Sequence, residues 1–164
     1  MLRLSLALVG ALCALLLVPV ALGDQPIRTP TGPPPGTSFM LSGICSFDVQ
    51  VTLVVNKENT MIFSNGAEII TGSLVAKFTN LRTNKSITEN ISGPTFTTVG
   101  SSTIVLSGVS ALFYFPGDLG PGTPGALLLT HGPVAITFSA DTGAVTAIDR
   151  TSASATDLCA ALAA

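Results

Sequence analysis

The chain has 164 residues, of which 47% are hydrophobic and 10% are charged, and its formal net charge at pH 7 is −2. The basic residues form no cluster, so the composition argues against nucleic-acid binding. Histidine occurs once and cysteine three times, and Cys13 lies in the apolar N-terminal run. The other three side chains, Cys45, Cys159 and His131, are too few for a tetrahedral zinc site without carboxylates, which nothing in the sequence groups with them. We therefore expect no metal and no other cofactor.

Residues 1–23 have the three parts of a cleavable signal peptide. Arg3 supplies the positive charge, Leu4 to Val18 form an uncharged apolar run, and small residues precede Asp24. The apolar run is shorter than the roughly 20 residues that a membrane-spanning helix needs. The segment predicts export, cleavage before Asp24, a secreted or extracytoplasmic location and no stable membrane span in the mature chain.

Residues 24–38 differ in composition from all that follows. They contain five prolines and two glycines but only one large apolar side chain. Because such a stretch has no core to bury, we expect a disordered, Pro-rich linker here. From Phe39 the composition becomes that of a folded chain, and residues 39–164 are the right length for a single domain with one hydrophobic core.

That domain has the alternating pattern of β-strands. From Cys45 to Val54, side chains that face inward alternate with mostly polar ones, at the period of two that is typical of a half-buried strand. Asn65-Gly66 is a strong hairpin-turn signal. Further strands are predicted at 60–64, 74–79, 85–91, 103–108, 111–115, 126–131, 134–139 and 144–149.

Cys13 lies within the predicted signal peptide, so two cysteines remain in the chain after cleavage. In an exported chain the pair Cys45 and Cys159 predicts a disulfide. Bonded cysteines need Cα atoms about 4.4–6.8 Å apart, so the end of the domain must return to its first strand. The predicted fold is therefore all-β: an antiparallel meander of about eight strands that forms a small barrel, with a two-sheet β-sandwich as the alternative.

A short helix is expected at the C-terminus. Ser154 or Thr156 could cap it, Asp157 would favour its N-terminal dipole, and Leu158 and Leu162 would share one face. Residues 116–125, by contrast, are too rich in Gly and Pro for regular structure and predict a mobile surface loop.

One segment matches a catalytic motif by its letters. Asp141-Thr142-Gly143-Ala144 resembles the motif of retroviral-type aspartic proteases, in which two Asp carboxylates share a proton. Too little chain follows Ala144 for the rest of such a fold, so a hairpin turn is the favoured interpretation. We expect no catalytic residue and no enzymatic activity.

Two other titratable residues have a functional and a structural interpretation. His131 could act as a general base, but Gly132-Pro133 follows it, which favours a histidine at the end of a strand beside a turn. Glu89 could be a buried acid with a raised pKa, since Ile87 and Ile91 flank it on the same face. A strand-edge position with Glu89 in solvent is favoured.

Two N-glycosylation sequons are present, at Asn84-Lys85-Ser86 and Asn90-Ile91-Ser92. They have a meaning only in a eukaryotic secretory pathway, and the Thr/Ala/Gly-rich composition favours a bacterial origin. The aromatic residues could line the barrel and hold an apolar small molecule, or they could simply fill the core, which is the favoured interpretation. The rings in question are eight of the nine aromatic side chains: Phe47, Phe63, Phe78, Phe96, Phe113, Tyr114, Phe115 and Phe138.

Several short stretches resemble small exported proteins of actinobacteria that have no assigned function. They include Cys45-x-Phe47, Asn65-Gly66 with Thr71-Gly72, Thr79-Asn80-Leu81 with Lys85-Ser86, Asn90 to Pro94, and Asp157 to Leu162. The resemblance covers most of 44–162 and implies an extracytoplasmic β-domain, but it implies no catalytic residues.

The sequence thus predicts a secreted, non-enzymatic β-domain with a binding or cell-envelope-associated role and an unknown partner. A small barrel that holds an apolar ligand is the alternative, and a hydrolase is less favoured.

Overall fold

A computed structural model describes residues 24–164, and the predicted signal peptide lies outside the described residues. This part of the chain is all-β with one short C-terminal helix, as predicted. The elements are β1 (Ile27–Pro30), β2 (Ser38–Leu41), β3 (Val49–Asn56), β4 (Asn59–Ile62), β5 (Glu68–Thr71), β6 (Leu74–Asn80), β7 (Ser86–Asn90), β8 (Thr95–Thr97), β9 (Thr103–Leu106), β10 (Val109–Tyr114), β11 (Ala126–His131), β12 (Val134–Phe138), β13 (Val145–Asp149), β14 (Ser154–Asp157) and α1 (Leu158–Ala163).

These fourteen strands of residues 24–164 form seven consecutive pairs, each of which we call a long strand, with a bend or loop of two to seven residues between its halves. Only two residues separate β3 from β4, β5 from β6, β9 from β10 and β11 from β12. Each long strand pairs with the next in an antiparallel ladder, which confirms the predicted meander. The predicted number of about eight strands is wrong, because the bends divide each long strand between two sheets.

On one side of the bends, the half-strands form a continuous sheet, sheet A, in the order β1-β4-β5-β8-β9-β12-β13. On the other side they separate into sheet B, β2-β3-β6-β7, and sheet C, β10-β11-β14. Sheets B and C begin to separate at Gly93, whose N–H donates to the Val109 carbonyl at 2.8 Å. Within residues 24–164 no ladder joins β7 to β10 or β14 to β2, so the predicted closed barrel is wrong and the architecture is sandwich-like.

The larger of two core clusters lies between sheets B and C and includes α1. The alternation predicted along the first long segment is confirmed from Phe47 to Leu53, whose inward side chains are buried. Regular pairing begins only at Val49, because residues 42–48 form a loop. The buried members are Leu41, Ile44, Phe47, Val49, Val51, Leu53, Ala76, Phe78, Leu127, Leu129, Leu158 and Leu162.

A second cluster contains residues of sheet C and of sheet A, namely Leu112 and Leu128 with Val134 and Ile136. Strand β11 therefore contributes to both clusters and is buried on both faces along most of its length. This explains why β11 is uniformly apolar at Leu127–Leu129 rather than alternating.

The disulfide Cys45–Cys159 is confirmed, with a Cα–Cα distance of 5.5 Å. It joins the loop between β2 and β3 to α1, so the last element does return to the first long strands, through a covalent bond rather than strand pairing. Leu158 and Leu162 share the buried face of α1, as predicted. The predicted cap is wrong, because Asp157 caps the helix, accepting a hydrogen bond from Ala160 N at 3.1 Å.

The predicted disordered linker is part of the fold. Strand β1 pairs with β4, and Ser38 at the end of the segment begins β2. The Asn56 side-chain amide donates to the carbonyls of Thr31 and Pro33, both at 2.9 Å. The prediction fails because backbone pairing at a sheet edge holds this segment, where proline is tolerated, without a buried side chain.

Residues 116–125 contain turns and no strand, as predicted. Asp118 accepts a hydrogen bond from the Phe115 N–H at 2.8 Å, and the Gly117 N–H donates to the Thr123 carbonyl at 2.9 Å. The mobility of this loop stays a prediction.

Candidate functional site

The protease-like motif forms the exposed turn between β12 and β13. Gly143 has φ of 68°, which glycine adopts without strain, and its N–H donates to the Ser139 carbonyl at 2.9 Å. Asp141 lies at the tip of the turn, exposed. The sequence Asp-Thr-Gly is therefore explained by turn geometry.

His131 and Glu89 lie apart, on different sheets. His131 is exposed at the end of β11, beside the turn at Gly132, where the favoured interpretation placed it. Glu89 is half-buried on β7, an edge strand of sheet B, between the flanking side chains of Ile87 and Ile91. The structure therefore does not bring these two side chains together.

The two sequons occupy exposed positions at the ends of β7. Asn84 has φ of 61° in the turn before the strand. The Asn90 side-chain oxygen accepts hydrogen bonds from the N–H and the hydroxyl of Ser92. This local Asx-type turn is a structural role for the Asn-x-Ser spacing.

The aromatic rings do not surround a common interior. Phe47 and Phe78 belong to the first core cluster, while Tyr114 and Phe138 pack on the second. The interpretation that these rings line a ligand-holding barrel is therefore wrong, because the barrel does not form and the rings divide between two cores and the surface. Four rings are at least 40% exposed: Phe39, Phe96, Phe113 and Phe115.

In residues 24–164, no group of three or more His, Cys, Asp or Glu side chains could hold a metal ion. The described part of the chain has shallow grooves, and one of about 390 Å³ lies between residues 30–34 and 56–59. Burial raises the pKa of the Glu58 carboxyl in this groove. Neighbouring polar groups there bond to one another, since the Glu58 N–H donates to the Asn56 side chain at 3.0 Å.

The most extended feature of the surface is a row of apolar side chains on sheet A. The strand registers place five of them side by side on five adjacent strands, and we call them the outer row: Met61, Ile69, Phe96, Val105 and Ala135. None belongs to either core cluster and all are partly exposed, Phe96 by 40%. The opposite face of β9 and β12 contributes Ile104 and Ile136 to the second core cluster, so the row faces outward.

Charges occur only at the two ends of this row. Arg28 on edge strand β1 is paired with Met61, and Asp149 on edge strand β13 is paired with Ala135. Thr151 donates to the Asp149 carboxylate through its N–H at 3.0 Å and its hydroxyl at 2.9 Å, which lowers the pKa of Asp149. The row is thus a strip of uncharged side chains between a cation and an anion.

An uncharged apolar strip across a sheet face is unusual for a face that meets water. Antiparallel sheets with one solvated face normally show polar side chains on that face, and contiguous exposed apolar surface marks interaction sites. The outer row is therefore the candidate functional site.

The outer row could not be predicted from the sequence because its members lie on five separate strands. The local sequence shows only that β5 has apolar side chains on both faces, since Ile69 and Ile70 are adjacent and therefore point to opposite faces of the strand. The registers that align Ile69 with Met61 and Phe96 appear only in the folded sheet.

Comparison with protein-family models, with curated proteins and with solved structures finds no match to this chain. None of the helices in residues 24–164 has both the length and the apolar character that a membrane crossing requires.

Proposed function

We propose that this chain is an exported, non-enzymatic β-domain that binds another protein surface through the outer row of sheet A. The observation that supports it is the row itself, five apolar side chains on adjacent strands with charges only at its ends. Burying such a strip against a partner removes apolar surface from water without desolvating a charge in its middle.

Export is part of the proposal. The signal-like N-terminus supports it, and the disulfide Cys45–Cys159 is compatible with an oxidising compartment. The resemblance of short stretches to exported actinobacterial proteins points the same way. The dispersed positions of Asp141, His131 and Glu89 support a role in binding rather than catalysis.

Site-specific photo-crosslinking in the cells that produce the protein tests this proposal. Phe96 is replaced by benzoylphenylalanine, which keeps an aromatic ring at the centre of the row. Phe113 is the matched control, because it is 43% exposed against 40% for Phe96 and lies on sheet C.

We expect a crosslinked adduct from position 96 and little or none from position 113. Equal labelling at the two positions, or no adduct at position 96, would contradict the proposal.

A further inference from the structure

We propose that the partner of the outer row is a second copy of this chain. The two copies pack sheet A against sheet A about a twofold axis parallel to the strands. This inference rests on the proposed function, since it names the occupant of the same surface.

The position of Phe96 supports a symmetric arrangement. Strand β8 is the fourth of the seven strands of sheet A, so Phe96 lies at the centre of the row. It is also the most exposed member of the row. A twofold axis that passes beside Phe96 brings the two Phe96 rings together, as a self-complementary interface requires.

The charges at the ends select one of two symmetric packings. An axis parallel to the strands reverses the row, so that Arg28 of each copy meets Asp149 of the other. An axis parallel to the row would instead place Arg28 against Arg28 and Asp149 against Asp149. Like charges at an interface are unfavourable, so the first packing is the one that the charge pattern favours.

The same reversal matches the sizes of the side chains between the ends. Met61, the longest member of the row, meets Ala135, the smallest, and Ile69 meets Val105. On both sides of the central Phe96 pair, the larger side chain therefore faces a smaller one, which lets the two sheet faces pack at their usual separation of about 10 Å.

The size of the surface determines how strongly the two copies are expected to bind each other. Five strands spaced about 4.8 Å apart make the outer row about 19 Å long, and the charged residues on the two edge strands extend this span to about 29 Å. With strands of only three to five residues in β8, β9 and β12, the interface falls below about 1,200 Å² in total, the range of weak specific contacts. We therefore expect a dimer that dissociates on dilution.

Sedimentation velocity of the secreted protein from about 1 μM to about 1 mM tests the dimer. The wild-type protein should pass from monomer to dimer over this range. Phe96→Glu should raise the dissociation constant by at least about tenfold, because it buries two carboxylates at the axis. Phe113→Glu, at a similarly exposed ring on sheet C, should leave the dissociation constant unchanged.

A charge-exchange experiment tests the orientation. Arg28→Glu and Asp149→Arg should each weaken self-association, by roughly two- to fivefold per altered pair. An equimolar mixture of the two variants should form a heterodimer about as strong as the wild-type dimer, because both end pairs are then attractive. In the packing about the other axis, each variant alone has pairs of like charges, as the wild type does, so neither substitution should weaken self-association. The mixture would then have two attractive pairs and bind more tightly than the wild type.

Four results would overturn the inference: a wild-type protein that stays monomeric throughout, a dimer that Phe96→Glu leaves unchanged, end-charge variants that each self-associate as strongly as the wild type, or a mixture that fails to recover. A monomeric chain whose position 96 crosslinks to a different protein would overturn the dimer and leave the proposed function standing. A monomeric chain without any adduct at position 96 would overturn both.

Discussion

Asn80 is a fully buried polar side chain that connects three parts of the chain. Its side-chain oxygen accepts hydrogen bonds from the N–H groups of Arg82 at 2.8 Å and Thr83 at 3.3 Å. Its amide donates to the Leu162 carbonyl at 3.2 Å, near the end of α1. The turn after β6 is thereby joined to the C-terminal helix without an unsatisfied buried polar atom among the described residues.

Replacing Asn80 should therefore cost more than replacing an exposed turn asparagine. Asn80→Ala leaves buried polar groups without partners, and we expect a loss of about 2–3 kcal/mol in the free energy of unfolding. Asn65→Ala is the matched control, since the Asn65 side chain is exposed and accepts a hydrogen bond from Ala67 N at 3.0 Å. Urea unfolding measures both, and equal losses in the two variants would contradict this account.

Glu58 links single-residue electrostatics to the pH dependence of stability. Burial raises the pKa of its carboxyl above the ordinary value of 4.5. The native state then holds the proton more tightly than the unfolded chain does. Stability is therefore lost as pH rises from the unfolded pKa through the raised folded pKa.

We expect Glu58→Gln to abolish this loss. Above the folded pKa of Glu58 the variant should have a higher melting temperature than the wild type, and the difference should shrink as pH falls below the unfolded pKa. The effect should be modest, because Glu58 is only half-buried and water screens it. Thermal unfolding across a pH series measures it, and a difference that is independent of pH would show that another cause operates.

At the scale of secondary-structure elements, the bends depend on close approach between neighbouring backbones. A Cβ atom at Gly93 would lie 2.0 Å from the Ser107 carbonyl oxygen and 2.5 Å from that of Val109. At Gly72 it would lie 2.3 Å from the Lys57 carbonyl oxygen. Glycine is required at both positions because only backbone without a Cβ can approach this closely.

Gly93→Ala should accordingly destabilise the protein by about 3 kcal/mol, because the obstacle is backbone and cannot move aside as a side chain can. Gly100→Ala is the control, where open space surrounds the new Cβ and only a positive φ of 70° opposes it. That substitution should cost about 1 kcal/mol. If the two variants have the same denaturant midpoint, a backbone shift must relieve the close approach at Gly93.

At the scale of the whole molecule, one covalent bond holds the two ends of the meander together. The bond Cys45–Cys159 encloses a sequence separation of 114 residues. It also holds α1 against sheets B and C, since Leu158 and Leu162 are in the first core cluster. No strand ladder performs this closure within residues 24–164.

Reduction should therefore lower the free energy of unfolding by about 4–5 kcal/mol, on the view that the bond restricts the unfolded chain. Urea unfolding with and without a reductant measures the loss. The Cys45→Ala/Cys159→Ala double variant is the control, since the reductant should not change its midpoint. A wild-type midpoint that is insensitive to the reductant would contradict a role for the bond in stability.

Local patterns predicted most of the strands. Residues 126–131 match β11 at both ends, and the Asn65-Gly66 signal lies in the β4–β5 turn. Five strands were missed, at 27–30, 38–41, 68–71, 95–97 and 154–157. All five have three or four residues, too few for a period of two to be distinguished from chance.

By itself, the sequence determined the all-β class, the antiparallel meander and the cysteine pair, because alternation, turn residues and cysteine count are local or compositional signals. Only the tertiary structure decided that the strands bend at Gly72 and Gly93, that three sheets form in place of a barrel, and that Met61, Ile69 and Phe96 lie side by side. Bends and registers depend on which backbone approaches which, and a residue's own neighbours in sequence do not specify that approach.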